Sequence, residues 1–186
     1  MNTSKISRRQ ILEQANGIAR SKGIQHLNIR DVAAKCQVSV GSIYNYFPTK
    51  SDLVVAVITE FWAQAYTHED MQNISLDDFF HSYSLLYHKI YGYLKQFEGN
   101  WIHQLSLLDS TTKEKGKAME NDYFQNIRKM LMIMLERDQT IPKTRWNENF
   151  TKTDFVDFLF ENTMIQLQKD VEEPTYLMMI LKQILL

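Results

Sequence analysis

Apolar residues recur at steps of three and four along most of the chain, a spacing that predicts helices. Ile11, Ala15, Ile18 and Ala19 mark the inner face of a first helix over 5–22, after an arm of residues 1–4, and Gly23 suits its C-terminal cap. Asn28, with Asp31 three residues later, starts a second helix over 30–36, whose small apolar face is Val32 and Ala33. Gln37 and Val38 make a turn, Ser39 caps a third helix over 40–47, and Pro48 ends it by pushing the preceding residue out of helical geometry. Thr49 with Asp52 forms a capping box for a fourth helix over 50–68, with Leu53, Ala56, Val57, Phe61 and Tyr66 on one side. The polar run HEDMQNIS follows as a hinge loop.

The second half carries longer stripes. Ser75 with Asp78 is expected to cap a helix bearing Leu76, Phe79, Phe80, Tyr83, Leu86, Tyr87, Ile90, Tyr91, Leu94 and Phe97, closed by Gly99. Further helices are expected over 100–108 and 112–137, then a loop with Pro142 as its breaker, then a helix over 153–169. Pro174 is placed at the first position of a last helix. The fold class is therefore all-α with about nine helices: a three-helix helix-turn-helix domain over 1–50, the fourth helix beginning at 50, and a helical domain over 51–186.

The stretch 28–50 organises this chain. Two short helices across a tight turn have the spacing of a helix-turn-helix, whose second helix enters the DNA major groove. Ser39, Gly41, Ser42 and Asn45 are then placed to face base edges, with Val40 against a thymine methyl. Tyr44, Tyr46, Arg30 and Lys50 are placed to hold phosphates, which set register rather than sequence preference. Lys50 also opens a helix, where a positive charge and backbone N–H groups suit an anion.

The run VSVGSIYNYFPTKSDL closely resembles the signature of TetR-type bacterial transcriptional regulators. The upstream RRQILEQANGIARSKGIQHLNIRDVAAKC resembles that family's first helix and the start of its second, so the likeness covers Ser7 to Val57. It implies an all-helical homodimer, an N-terminal domain that reads double-stranded operator DNA, and a C-terminal domain that dimerises and commonly binds a small effector. The chain departs from the pattern at three places. Gln37 stands where glycine is usual, and a left-handed backbone there costs about 1 kcal/mol. Ala19 replaces a large aromatic. Gly17 sits mid-helix and weakens it by roughly 1 kcal/mol against alanine.

Charge sharpens the picture. Residues 1–50 hold eight Lys and Arg against Glu13 and Asp31, a net +6, while the rest carries −7. A basic head on an acidic body suits a protein that meets a polyanion with one end. Cys36 is the single cysteine, so no disulfide framework is expected and a reducing cytoplasm is, a bacterial one as the resemblance implies. The N-terminus carries no apolar stretch of the signal-peptide kind, and the apolar run 176–181 is too short to span a bilayer, so no membrane partner is expected.

Aromatic residues are concentrated in the body. Trp62, Tyr66, Tyr83, Tyr87, Trp101, His103, Tyr123 and Phe160 are candidates to line a cavity for a hydrophobic or aromatic effector, against the plainer reading that they fill a core. The last helix is apolar almost all round and needs cover on both sides. Phe155, Phe158, Leu159 and Ile165, with Leu177, Ile180, Leu181 and Ile184, are therefore expected to build a four-helix dimer interface, two helices from each subunit.

No GxSxG, P-loop or GxGxxG is present. His26, His68, His81, His88 and His103 lack metal-ligand spacing. No catalytic residue, metal or cofactor is expected. The leading expectation is a repressor released from a palindromic operator by a small effector. The alternatives are a DNA-binding activator or constitutive repressor without an effector, and an enzyme of small hydrophobic molecules.

Overall fold

The computed structural model describes residues 6–65 and 78–186, with the backbone alone at 117–120. These residues form nine α-helices, two short 3-10 turns and no strand, as an all-α fold requires. The helices are α1 (Arg8–Lys22), α2 (Ile29–Cys36), α3 (Val40–Tyr44), α4 (Lys50–Ala65), α5 (Phe79–Leu94), α6 (Trp101–Ser106), α7 (Ser110–Arg137), α8 (Lys152–Gln168) and α9 (Thr175–Leu185). The expected arm and hinge loop, the cap at Ser75 and the end of the fourth helix lie outside the described residues.

Most helix starts are set by one side chain. Ser7 accepts the Gln10 N–H at 3.2 Å while Gln10 reaches back to the Ser7 N–H at 2.9 Å, so α1 begins at Arg8 rather than at 5. Thr49 and Asp52 exchange the same pair of bonds before α4. Asp109 and Thr151 cap α7 and α8, each a residue or two earlier than the spacing suggests. Pro174 stands at the cap position of α9 rather than inside it.

The chain divides into two compact units: one running to Gln64 and taking in Leu94–Glu120, the other drawn from Ala65–Tyr93 and Asn121–Leu186. In the first, Ile11, Ala15, Ile18, Ala19, Ile24, Leu27, Val32 and Ile43 are buried, as are Leu53, Val57 and Phe61 of α4. Ala19 is fully covered, and aromatic volume comes from farther along the chain. Phe61 stacks on Trp101 with centroids 4.7 Å apart and meets the Phe97 edge at 4.9 Å. Phe97 keeps its place in the core although α5 ends at Leu94.

In the second unit the stripe of α5 is buried at Phe79, Phe80, Tyr83, Leu86, Tyr87 and Ile90. Ile127, Met130, Leu131 and Met134 of α7, Phe155, Leu159 and Phe160 of α8, and Leu177, Leu181 and Leu185 of α9 join them in that unit's core. Asp138, buried after α7, organises the polar contacts. It accepts the Phe79 N–H at the start of α5 (2.7 Å), the Thr140 and Ile141 N–H groups (2.6 and 2.9 Å) and the Thr140 hydroxyl (2.8 Å). Burial alone would raise its pKa, but these bonds outweigh it and hold the carboxyl below its ordinary value.

Candidate nucleic-acid interface

Between α2 and α3 the chain turns in three residues. The Asn28 side chain accepts the Asp31 N–H at 2.9 Å and starts α2. Gln37 ends it with φ 56° and ψ 40°, the left-handed geometry that glycine adopts at least cost. The Val38 N–H then donates to the Ala33 carbonyl at 3.0 Å, locking the turn. Ser39 accepts the Ser42 N–H at 3.1 Å and starts α3. This helix is shorter than the expected 40–47. The Tyr46 and Phe47 N–H groups both return to the Ile43 carbonyl at 3.0 Å, so the chain tightens after Tyr44 before reaching Pro48.

Two side chains fix α3 from beneath: Ile43 is fully buried and Phe47 nearly so, with the Arg8 guanidinium 5.0 Å above the Phe47 ring. The other face is left open. Ser39, Val40, Gly41, Tyr44 and Asn45 are exposed, and Ser42 is half-buried. A Cβ added to Gly41 would meet only the Ser39 Oγ, at 3.7 Å, so internal packing does not demand glycine there. Arg30 and Lys50 are exposed at the starts of α2 and α4. Tyr46 differs from its neighbours: it is half-buried, and its hydroxyl donates to the Ile6 carbonyl. That bond ties the approach to α1 onto the residues after α3. It leaves the Tyr46 oxygen only as an acceptor, which cannot donate to a phosphate while the bond holds.

Residues 11–57 match the pattern described as bacterial regulatory proteins of the tetR family. The N-terminal domain carries a TetR-family helix-turn-helix. The match covers the whole helix-turn-helix and the first turns of α4. A curated relative, the HTH-type transcriptional repressor KstR of Rhodococcus jostii, is 35% identical over 57 residues, which is 31% of this chain and 27% of that protein. The chain thus matches little more than a quarter of that relative's length. Solved structures carry the fold likeness through the rest. A TetR transcriptional regulator from Legionella pneumophila aligns over 100% of both chains with TM-score 0.63 and 20% identity. The multidrug binding protein EbrR, complexed with imidazole, aligns over 96% of this chain and 94% of its own with TM-score 0.62 and 18% identity. FadR of Bacillus subtilis, complexed with stearoyl-CoA, aligns over 96% and 95% with TM-score 0.57 and 15% identity.

The candidate effector residues are divided between the units. Trp62 and Trp101 are buried in the first and His103 is exposed there, whereas Tyr83, Tyr87, Tyr123 and Phe160 belong to the second. Tyr66 lies outside the described residues. Tyr83 shares a 2.9 Å hydrogen bond with the Thr163 hydroxyl, and the Tyr87 hydroxyl donates to the Val171 carbonyl. Burial pushes the Tyr83 phenol up to about 12 and Tyr87 higher still, so both stay neutral at ordinary pH. Phe160 is covered by the Arg128 guanidinium at 3.8 Å, and Arg128 also bonds Asp157 at 2.7 Å.

The candidate dimer residues split by face. Phe155, Leu159, Leu177 and Leu181 are already buried within the single chain, Phe155 against Trp146 and Phe150. Phe158 and Ile165 remain more than 40% exposed, and Ile180 and Ile184 are half-exposed. Tyr176 and Met179 of the same helix are 74% and 60% exposed. Residues 94–120 fall in the same compact unit as the helix-turn-helix. Gly23 and Gly99, both with positive φ, adjoin Gln104 there.

Proposed function

We propose that the chain is a homodimeric repressor that binds a near-palindromic operator and is released by a small hydrophobic or aromatic effector. The observation that carries the reading is the open face of α3: small and polar side chains exposed outward, over an Ile43 that is fully buried. Ser39, Val40, Gly41, Ser42 and Asn45 read base edges. Arg30, Tyr44 and Lys50 hold phosphates, and Tyr46 joins them by a rotated hydroxyl. Two heads meet half-sites about one helical turn apart, ~34 Å, or a multiple of it.

Phe158, Ile165, Tyr176, Met179 and Ile180 support dimerisation through α8 and α9, because exposed apolar side chains on two adjacent helices favour a covering copy. Residues 1–50 serve as the reading domain and 51–186 as the effector-binding and dimerisation domain. The proflavin bound by EbrR and the stearoyl-CoA bound by FadR, two structural neighbours, are in keeping with an effector that is aromatic or carries an apolar chain. A coupling of about 1–3 kcal/mol gives a 5- to 150-fold loss of DNA affinity on effector binding.

Selection of bound duplexes from a random pool tests the reading. A palindrome with half-sites at whole-turn spacing is expected, and recovery of unrelated sequences overturns it. One observation favours a second reading, a regulator without an effector. The Tyr83 and Tyr87 hydroxyls are already bonded within the protein, as core-filling residues would be. A thermal-shift screen of apolar and aromatic compounds separates the two, since an effector that binds the folded state must raise the melting temperature.

A further inference from the structure

The turn between α1 and α2 is held by one buried side chain from α6. Gln104 is 8% exposed. Its Oε1 accepts the Ile24 N–H at 2.9 Å, and its Nε2 donates to the Glu98 carbonyl at 2.5 Å. The Glu98 N–H donates in turn to the Arg20 carbonyl at 2.8 Å, in the last turn of α1. The amide is walled at both ends. Gly23 has φ 86° and Gly99 φ 66°, and a Cβ on either would stand 2.5 Å from Oε1 or 3.1 Å from Nε2. Backbone geometry and space both call for glycine at these two positions.

An amide bonded at each end and closed in by two backbones has one orientation. An aliphatic contact tolerates sliding, whereas a hydrogen bond weakens steeply with angle and a buried one that breaks leaves a polar group unpaired. Displacing residues 98–104 therefore carries Ile24 with it or breaks the link. Ile24 begins the turn that feeds α2, the first helix of the helix-turn-helix, and residue 98 lies four positions past the end of α5 at Leu94.

We propose that Gln104 is a positioning residue through which the DNA-reading helices and the segment 98–104 report on each other's state. This rests on the DNA-binding reading above. Linkage makes such coupling reciprocal, so it can be read from the DNA side with no effector in hand.

The test is amide hydrogen exchange on the full chain, free and with a duplex from the selection experiment. In the native chain, DNA is expected to slow exchange at 32–44, at Ile24 and at 98–104, the last by about threefold or more. In the free native chain, the Ile24 and Glu98 amides are expected to exchange at a common rate, since lifting 98–104 from α1 breaks the Ile24–Gln104 and Glu98–Arg20 bonds together, and clearly different rates overturn the proposal. Gln104→Met keeps the length of the side chain and removes both bonds. It is expected to retain DNA affinity within about threefold and protection at 32–44, yet lose the response at 98–104. An unchanged response at 98–104 in that variant overturns the proposal. So does protection at 32–44 with none at 98–104 in the native chain. Should Gln104→Met fail to fold, the two native measurements decide alone. A native chain that binds no duplex and gains no protection at 32–44 overturns the DNA-binding reading, and this proposal with it.

Discussion

Gly41→Ala separates the needs of the fold from those of DNA. Gly41 is the second residue of α3 and is exposed, and a Cβ there meets only the Ser39 Oγ at 3.7 Å, an ordinary contact. The folded protein therefore has room for the methyl. Alanine also loses less backbone entropy on forming a helix, so the variant gains about 0.5–1 kcal/mol of stability. For a chain of this size, that raises the melting temperature by roughly 1–4 °C. On DNA the sign reverses. If this turn lies against base edges, a methyl forced into a packed contact costs about 1–3 kcal/mol, and each 1.4 kcal/mol is tenfold in affinity. A weakening of about 5- to 150-fold is expected. Denaturant unfolding measures the first effect, and fluorescence anisotropy with a selected duplex measures the second. Raised stability with unchanged affinity would place Gly41 away from the bases and refute the assignment of α3.

Other perturbations test the remaining contacts. Lys50→Ala is expected to weaken binding to all duplexes alike and to lower the slope of log affinity against log salt by about one; altered sequence preference would count against a phosphate contact. Tyr44→Phe is expected to weaken all sequences uniformly without changing the melt, because its ring is half-exposed. Asp138→Ala strips the acceptor from three backbone N–H groups and is expected to cost about 3 kcal/mol in denaturant unfolding. Because the folded Asp138 pKa lies below its ordinary 3.8, its contribution is full above that value and is lost as pH falls through the folded pKa. The gap between the native chain and Asp138→Ala is therefore expected to be flat from pH 7 to 5 and to narrow below about 4; a gap that is constant to pH 2 would contradict this. Phe158→Glu with Met179→Glu is expected to yield folded monomers in sedimentation, since these side chains are 42% and 60% exposed in the single chain. A stable dimer would place the interface elsewhere.

The helix-turn-helix was legible because its determinants are local. Asn28, Ser39 and Thr49 cap residues three positions on, and Pro48 stops what precedes it. Even the left-handed turn at Gln37 follows from a position where glycine is customary. The ends of helices were less legible. Whether α3 runs to Tyr44 or Phe47 depends on the Ile43 carbonyl taking two donors at once, a competition that spacing does not reveal.

Periodicity shows that a residue is apolar on one face, but not what covers it. Phe158 and Leu159 are adjacent and both apolar, yet one is 42% exposed and the other fully buried. The chain alone therefore determined the helices, their caps, the basic head and the family pattern over 11–57, all written within a few residues of one another. The tertiary structure decided which stripes are spent inside the single chain. It also seated Asp138 against the start of α5 and threaded Gln104 between two glycines, 81 and 5 residues away in sequence. Such pairings arise because a buried polar group must find its partner wherever the packed backbone brings one, and sequence separation does not enter into that choice.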